Sequence, residues 1–394
     1  MIRQIFTLVS TFALIFGQST VAQQAAHASN TVIVVGTNPA ECPGAQFSTI
    51  QDAVNAASPG AIIRICAGNY PEQVNITKPL SLRGENGVVI QPSNVTANAT
   101  GTASGQAIAA ILLVPDVTGV EIRDVIIDGT NSGITECSPD LIGVLYQNAS
   151  GDVSRVTVRN VKLSASLNGC QSGSAILVQS GGGGTSVVDI EDSSIHDYQK
   201  NGITANEVGT QVRIEGNAVT GVGPTTGAAQ NGIQIGFGAG GSISRNSVAN
   251  HIWSPCVSLQ SCDFTADDIL VYQSNDVVVS QNVAGLSQTG IAISANHAKV
   301  RGNRVFESLI FDGVELIGNN SDARENWITH SDRAGVFIQG NKNDVENNKI
   351  NEAAFGVFET AGSGGNMIAS DDFFNATVKV QDPPGPGSKA SPYR

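Results

Sequence analysis

Asn217, Asn246, Asn282, Asn303, Asn326 and Asn348 recur behind one apolar frame. Each has a small or branched apolar residue three positions before it, from Ile214 to Val345, and another two positions after it, from Val219 to Ile350. The last three steps are 21, 23 and 22 residues. So short a period, with short apolar runs, leaves no room for a helix and predicts stacked coils of parallel strand. Coils stack about 4.8 Å apart, so equivalent residues form straight columns. Asparagine suits such a column because it tolerates a left-handed backbone at a bend and its amide can bond the same amide one coil away.

The repeat argues for one elongated all-β domain over 29–381, in about ten coils. Ile203, Ile233, Ile269, Ile291, Val314, Val336 and Val357 form the predicted inward stack. Thr204, Gln234, Leu270, Ala292, Glu315, Phe337 and Phe358 are expected on the outward face of the same sheet. Before the coils, Phe47, Ile50, Val54 and Ala57 share one face of a predicted helix over 47–57. Ser48 and Gln51 have capping-box spacing. This helix would cover the open end of the solenoid.

Residues 1–28 read as an export signal: Arg3 precedes the short apolar stretch Ile5–Phe16, and small-residue cleavage sites follow. Secreted or periplasmic localisation is expected. The last residues, 382–394, are rich in Pro, Gly and Ser and read as a disordered tail. Six cysteines in an exported chain suggest disulfides. Cys256 and Cys262 could close one inserted loop, Cys42 and Cys66 flank the helix, and Cys137 and Cys170 end neighbouring coils. These three bridges are favoured among the pairings the sequence allows. The 34 acidic against 21 basic residues give a net charge of −13. That balance disfavours nucleic acid and anionic membranes as partners. No later segment is apolar and long enough for membrane insertion.

The opening Phe47-Ser-Thr-Ile-Gln-Asp-Ala-Val, the run Ile63 to Val74 and Leu80-Ser-Leu-Arg-Gly resemble exported right-handed parallel β-helix proteins of the pectin-lyase-like superfamily. They are similar to the openings of pectin methylesterases and NosD-type proteins. Gly68, Tyr70 and Glu72 match a structural turn of those families. The resemblance implies a right-handed β-helix and a polysaccharide or other glycan, uronate-type included, as partner. The catalytic motifs of pectin methylesterases, polygalacturonases, pectate lyases and alginate epimerases are not found, except that Asp267-Asp268-Ile269 is similar to one polygalacturonase strand. NosD-type proteins are associated with copper delivery; two methionines and scattered histidines supply few soft donors for it.

Asp267, Asp268, Asp312 and Glu315 are the candidate catalytic residues. Coils two apart would separate such carboxylates by roughly 9.5 Å, near the spacing of an inverting glycosidase. The same carboxylates could hold Ca²⁺ against a uronate; no other cofactor is indicated, and no metal ligand is assigned. His196, Tyr198, Lys200, His251, Tyr272 and Phe337 are the candidate substrate-binding residues, through stacking and hydrogen bonds to a sugar. Two readings stay open. One is an exported protein that binds or acts on polysaccharide along the outward sheet; an enzyme would be lyase-like or glycoside-hydrolase-like. The other is a non-catalytic extracellular or periplasmic scaffold. Oligomeric state is not readable.

Overall fold

The computed structural model describes residues 31–258, 262, 264–381 and 389–390. The expected signal at 1–28 and most of the 382–394 segment lie outside the described residues. Lys389–Ala390 form a short strand beside Met367–Ala369.

The chain winds as a right-handed parallel β-helix. One sheet has fourteen strands, from Val32–Val35 to Lys389–Ala390, and a second of 23 strands supplies the other walls. Among the described strands, Ala99–Thr100 runs antiparallel to its partner, Ala107–Pro115. The other pairings are parallel, each strand lying on the equivalent strand of a neighbouring coil. Ile176, Ile203, Ile233, Ile269, Ile291, Val314, Val336 and Val357 stand in register one above another. All eight are buried. Removing each such side chain from water contributes about 1.5–3 kcal/mol, so the stack is a substantial part of the core that stabilises the rod.

The asparagine column is a continuous hydrogen-bonded ladder. Asn217 donates its backbone N–H and its Nδ2 to Asn246 Oδ1, at 2.9 and 3.0 Å. The pattern repeats through Asn282, Asn303, Asn326 and Asn348 and ends on Asp371. Each Nδ2 also reaches back to a carbonyl of the preceding coil, as Asn303 does to Val279 at 3.0 Å. The bend itself differs from expectation. The left-handed residue is the one before each ladder asparagine: Gly216, Arg245, Gln281, Gly302, Glu325 and Asn347. The asparagine then turns its amide inward, where it satisfies backbone groups that the corner removes from the sheet.

The helix spans Ile50–Ala56, shorter than the predicted 47–57. Thr49, not Ser48, is the N-cap, accepting from Asp52 N. Glu72 does the larger part of the capping. Its two carboxylate oxygens accept from the N–H groups of Ile50 and Gln51, at 2.7 and 2.9 Å. These amides have no partner within the helix, and a carboxylate there also complements the helix dipole. Phe47 instead bridges to Val35. Ile50, Ala53 and Val54 face the core. The three disulfides, Cys42–Cys66, Cys137–Cys170 and Cys256–Cys262, are present as expected.

Candidate functional site

The outward column runs in register through Leu145, Leu177, Thr204, Gln234, Leu270, Ala292, Glu315, Phe337 and Phe358. Its chemistry changes along the rod. At the N-terminal end Ile108, Ala110, Leu113, Ile142 and Leu145 make a small apolar cluster of their own. The middle coils are lined with amides and hydroxyls. The last coils are acidic, then aromatic.

Connections rise beside the middle coils and turn this face into a groove. Thr102 Oγ1 and Ala103 N donate to Glu207, which fastens one wall. The other wall includes Trp253, Phe264 and Thr265, near the Cys256–Cys262 disulfide. Its base is held by Gln288, whose Nε2 donates to the carbonyls of Trp253 and Cys256, both at 3.1 Å. Two adjoining clefts result, of about 450 and 540 Å³, with Lys200 and Gln171 lining both.

Asp267 lies in the second cleft, 4% exposed. Its N–H donates to Asn231 Oδ1 at 3.3 Å, while its Oδ1 is buried without a hydrogen-bond partner. Burial pushes its carboxyl up to about 6, against the nearby Thr265 and Thr289 hydroxyls, which favour the ionised form. Lys200 Nζ donates to the Ala229 carbonyl at 2.7 Å. Burial lowers the pKa of its ammonium, and the charge of Asp267 opposes that shift. Trp253 and the exposed Phe264 meet edge to face beside Asp267, and Tyr272 meets the exposed Phe237 similarly. The floor is amide-rich: Asn201 and Asn231 donate to Gln234 Oε1, and Gln234 donates to Asn206 Oδ1. Gln179 Nε2 and Asn201 Oδ1 have no partner although buried.

Of the sequence-derived candidates, Asp267, Lys200 and Tyr272 meet in this groove. Asp268 does not. It points into the core, fully buried, with Oδ1 2.6 Å from His251 Nδ1 and Oδ2 accepting from Ser287 Oγ at 3.0 Å. His251 Nε2 in turn hydrogen-bonds the Tyr198 hydroxyl. Tyr198 and His251 are equally buried, and neither lines the two clefts of this groove. Burial drives His251 down to about 3 and the Asp268 carboxyl well above its usual range, so both favour their neutral forms. This network replaces glycine-sized filling: in other coils the position of Asp268 is held by Gly202, Gly232, Gly290, Gly313, Gly335 and Gly356. A Cβ at Gly232 would stand 2.3 Å from Val248 Cγ1 and 2.6 Å from the Asp268 carbonyl.

Asp312 and Glu315 lie on the outward face but are not free. Arg333, one coil on, binds Asp312 with Nε at 2.9 and 3.0 Å and with its terminal nitrogen, and reaches Glu315 at 3.2 Å. Ala334 N also donates to Asp312. Burial raises the pKa of Glu315, and Asp312 adds to that rise. Phe337 is no exposed platform: it is 7% exposed, with the Arg333 guanidinium 4.1 Å above its ring centre and Phe358 stacked on it. His196 lies away from the groove and contacts Asp197, which Lys162 also approaches.

Sequence reasoning missed Asp140, Gln179, Asn201, Glu207, Phe237, Trp253 and Phe264. Asp140 opens an outward strand as Asp267 does, and its carboxyl is raised by burial. That shared position was the available signal. Trp253 and Phe264 carried another, as aromatics at the ends of the longest insertion.

A sequence model of the family described as periplasmic copper-binding protein (NosD) matches residues 199–388. No curated protein matches the chain in sequence. In structure the chain is similar to a GH136 lacto-N-biosidase from Eubacterium ramulus, with TM-score 0.56 and 12% identity, over 93% of this chain and 67% of that one. It is also similar to a double mutant of the periplasmic alginate epimerase AlgG, with TM-score 0.50 and 12% identity, over 88% and 82% of the two chains. Likeness at such identity is one of fold. The donors here do not fit copper. All six cysteines are in disulfides, His251 is sealed inside, and Met367 is the one methionine among the described residues. Among those residues no group of three or more His, Cys, Asp or Glu is placed to hold a metal ion. The chain folds as a right-handed parallel β-helix, and its residues 199–388 are similar to the NosD family.

Proposed function

We propose that this is an exported glycan-binding protein that holds a sugar chain in the groove centred on Lys200 and Asp267. One observation carries the reading: Asp267, which lines a cleft bordered by Trp253, Phe264 and Tyr272, keeps a buried carboxylate oxygen without a partner. Sugars present hydroxyls around an apolar ring face, and aromatic edges with buried polar groups are their natural complement. Three disulfides suit an oxidising compartment. With a carboxyl poised near pH 6, Asp267 is the residue suited to exchange a proton with bound sugar. Calorimetric titration with a panel of plant, algal and host oligosaccharides tests the reading. Saturable binding that Asp267→Ala weakens at least tenfold is expected. Binding unaffected by that change, or no binding, rejects it.

A non-catalytic scaffold is the second reading, and one observation favours it. Arg333 engages both Asp312 and Glu315, so neither is free to partner Asp267 as a two-carboxylate hydrolase requires. Glycan binding without turnover is the outcome this reading expects.

A further inference from the structure

We infer that the groove selects neutral sugar chains, of hexose or N-acetylhexosamine type, and rejects polyuronates. The inference rests on the glycan reading above and narrows its ligand. Among the described residues lining the two clefts, the charged ones are Asp140, Glu207, Asp267 and Lys200. Three carboxylates thus stand against one ammonium, in a chain already at −13. That ammonium is also engaged, by the Ala229 carbonyl at 2.7 Å. Glu207 is held by the neutral donors Thr102 and Ala103, which leave its negative charge in place.

A polyuronate carries one carboxylate per residue. Laid along this groove it would meet like charges at several successive subsites, and repulsion between partly buried charges is only weakly screened. Such juxtaposition rejects a ligand more effectively than lost contacts do. Calcium bridging needs several oxygen ligands converging on one point. The groove carboxylates are instead distributed along its length, and no three of them converge among the described residues.

The features that remain suit uncharged sugar. Gln179 Nε2 is a buried donor and Asn201 Oδ1 a buried acceptor, both without partners on the floor of the first cleft. A hydroxyl satisfies either, being donor and acceptor at once. Beside them Ile142, Leu177 and Phe237 offer an apolar surface to a ring face or an acetamido methyl.

Calorimetry at low ionic strength separates the outcomes. The probes are gluco-, xylo-, galacto- and N-acetylglucosamine oligosaccharides against oligogalacturonate and oligomannuronate, each with and without Ca²⁺. At least one neutral series is expected to bind with little salt dependence, and both uronates at least about tenfold more weakly. Asp140→Asn with Glu207→Gln is expected to narrow that gap. Uronate binding equal to or tighter than neutral binding, with or without Ca²⁺, overturns the selectivity and leaves the glycan reading standing. A gap that the double variant does not narrow overturns its assigned cause. No binding to either class overturns both.

Discussion

Asp267 and Asp268 are adjacent in the chain and opposite in environment. Asp267 faces the groove with one carboxylate oxygen unpartnered, whereas Asp268 is sealed in the core against His251 and Ser287. The pair divides two tasks, one belonging to the surface and one to the interior, and substitution should separate them.

Asp267 should oppose folding at neutral pH. Its folded-state value of about 6 lies above its unfolded value near 4. The protonated form therefore favours folding fully below about pH 4, and that contribution is lost as pH rises through 6. Asp267→Asn is expected to stabilise the protein by up to about 3 kcal/mol at pH 8 and by little at pH 4. Thermal unfolding at the two pH values measures this; equal shifts at both would contradict it.

Asp268→Ala should act in the opposite sense. It leaves His251 Nδ1 without its partner, takes one of two acceptors from Ser287 Oγ, which keeps the Thr289 carbonyl, and opens a cavity, for a loss of about 3–5 kcal/mol. Denaturant midpoints measure the loss. A change under about 1 kcal/mol would mean the network does not hold this coil.

The asparagine ladder gives a test of cooperativity. Asn303→Ala removes the acceptor of Asn282 and the Nδ2 donor to Asn326 and to the Val279 carbonyl in one step, while the backbone N–H of residue 303 keeps its bond to Asn326. The expected loss is about 2–4 kcal/mol, with faster amide exchange in the coils on both sides. At the ladder's end, Asp371 is pushed up to about 7 by burial, despite the Asn348 amides that favour its ionised form. Its Oδ2 is buried without a partner. By the same sign argument, Asp371→Asn should stabilise the fold at pH 8 and make little difference at or below pH 4. Denaturation at both pH values checks it.

Arg333→Met should destabilise strongly, by about 3–5 kcal/mol, because it strands the buried Asp312 and Glu315 charges. Adding Asp312→Asn should recover part of the loss. A double variant as unstable as the sum of the single ones would contradict the pairing.

The register of the coils was legible because an apolar residue before and after each asparagine marks the same two strands in every turn. The inward stack from Ile203 to Val357 followed from it. The site was legible only in part. Strand alternation breaks at the bend, where Asp268 and Ile269 are both buried, so counting residues placed Asp268 on the wrong side. The position that takes Asp268 is inward, as its glycines in other coils indicate. Arg333 returns from the next coil to bind Asp312, and repeat spacing carries no information on where a long side chain turns. Trp253 and Phe264 lie at the ends of an insertion outside the repeat, so no column locates them.

The chain has two tryptophans, and only Trp253 lines the groove; Trp327 stands under Arg304 on another face. The emission of Trp253 in a Trp327→Phe protein is therefore the most direct report on where sugar sits. Titration with a binding oligosaccharide is expected to change that emission saturably, with the dissociation constant found by calorimetry. Calorimetric binding with Trp253 emission unchanged would place the ligand elsewhere and contradict the account.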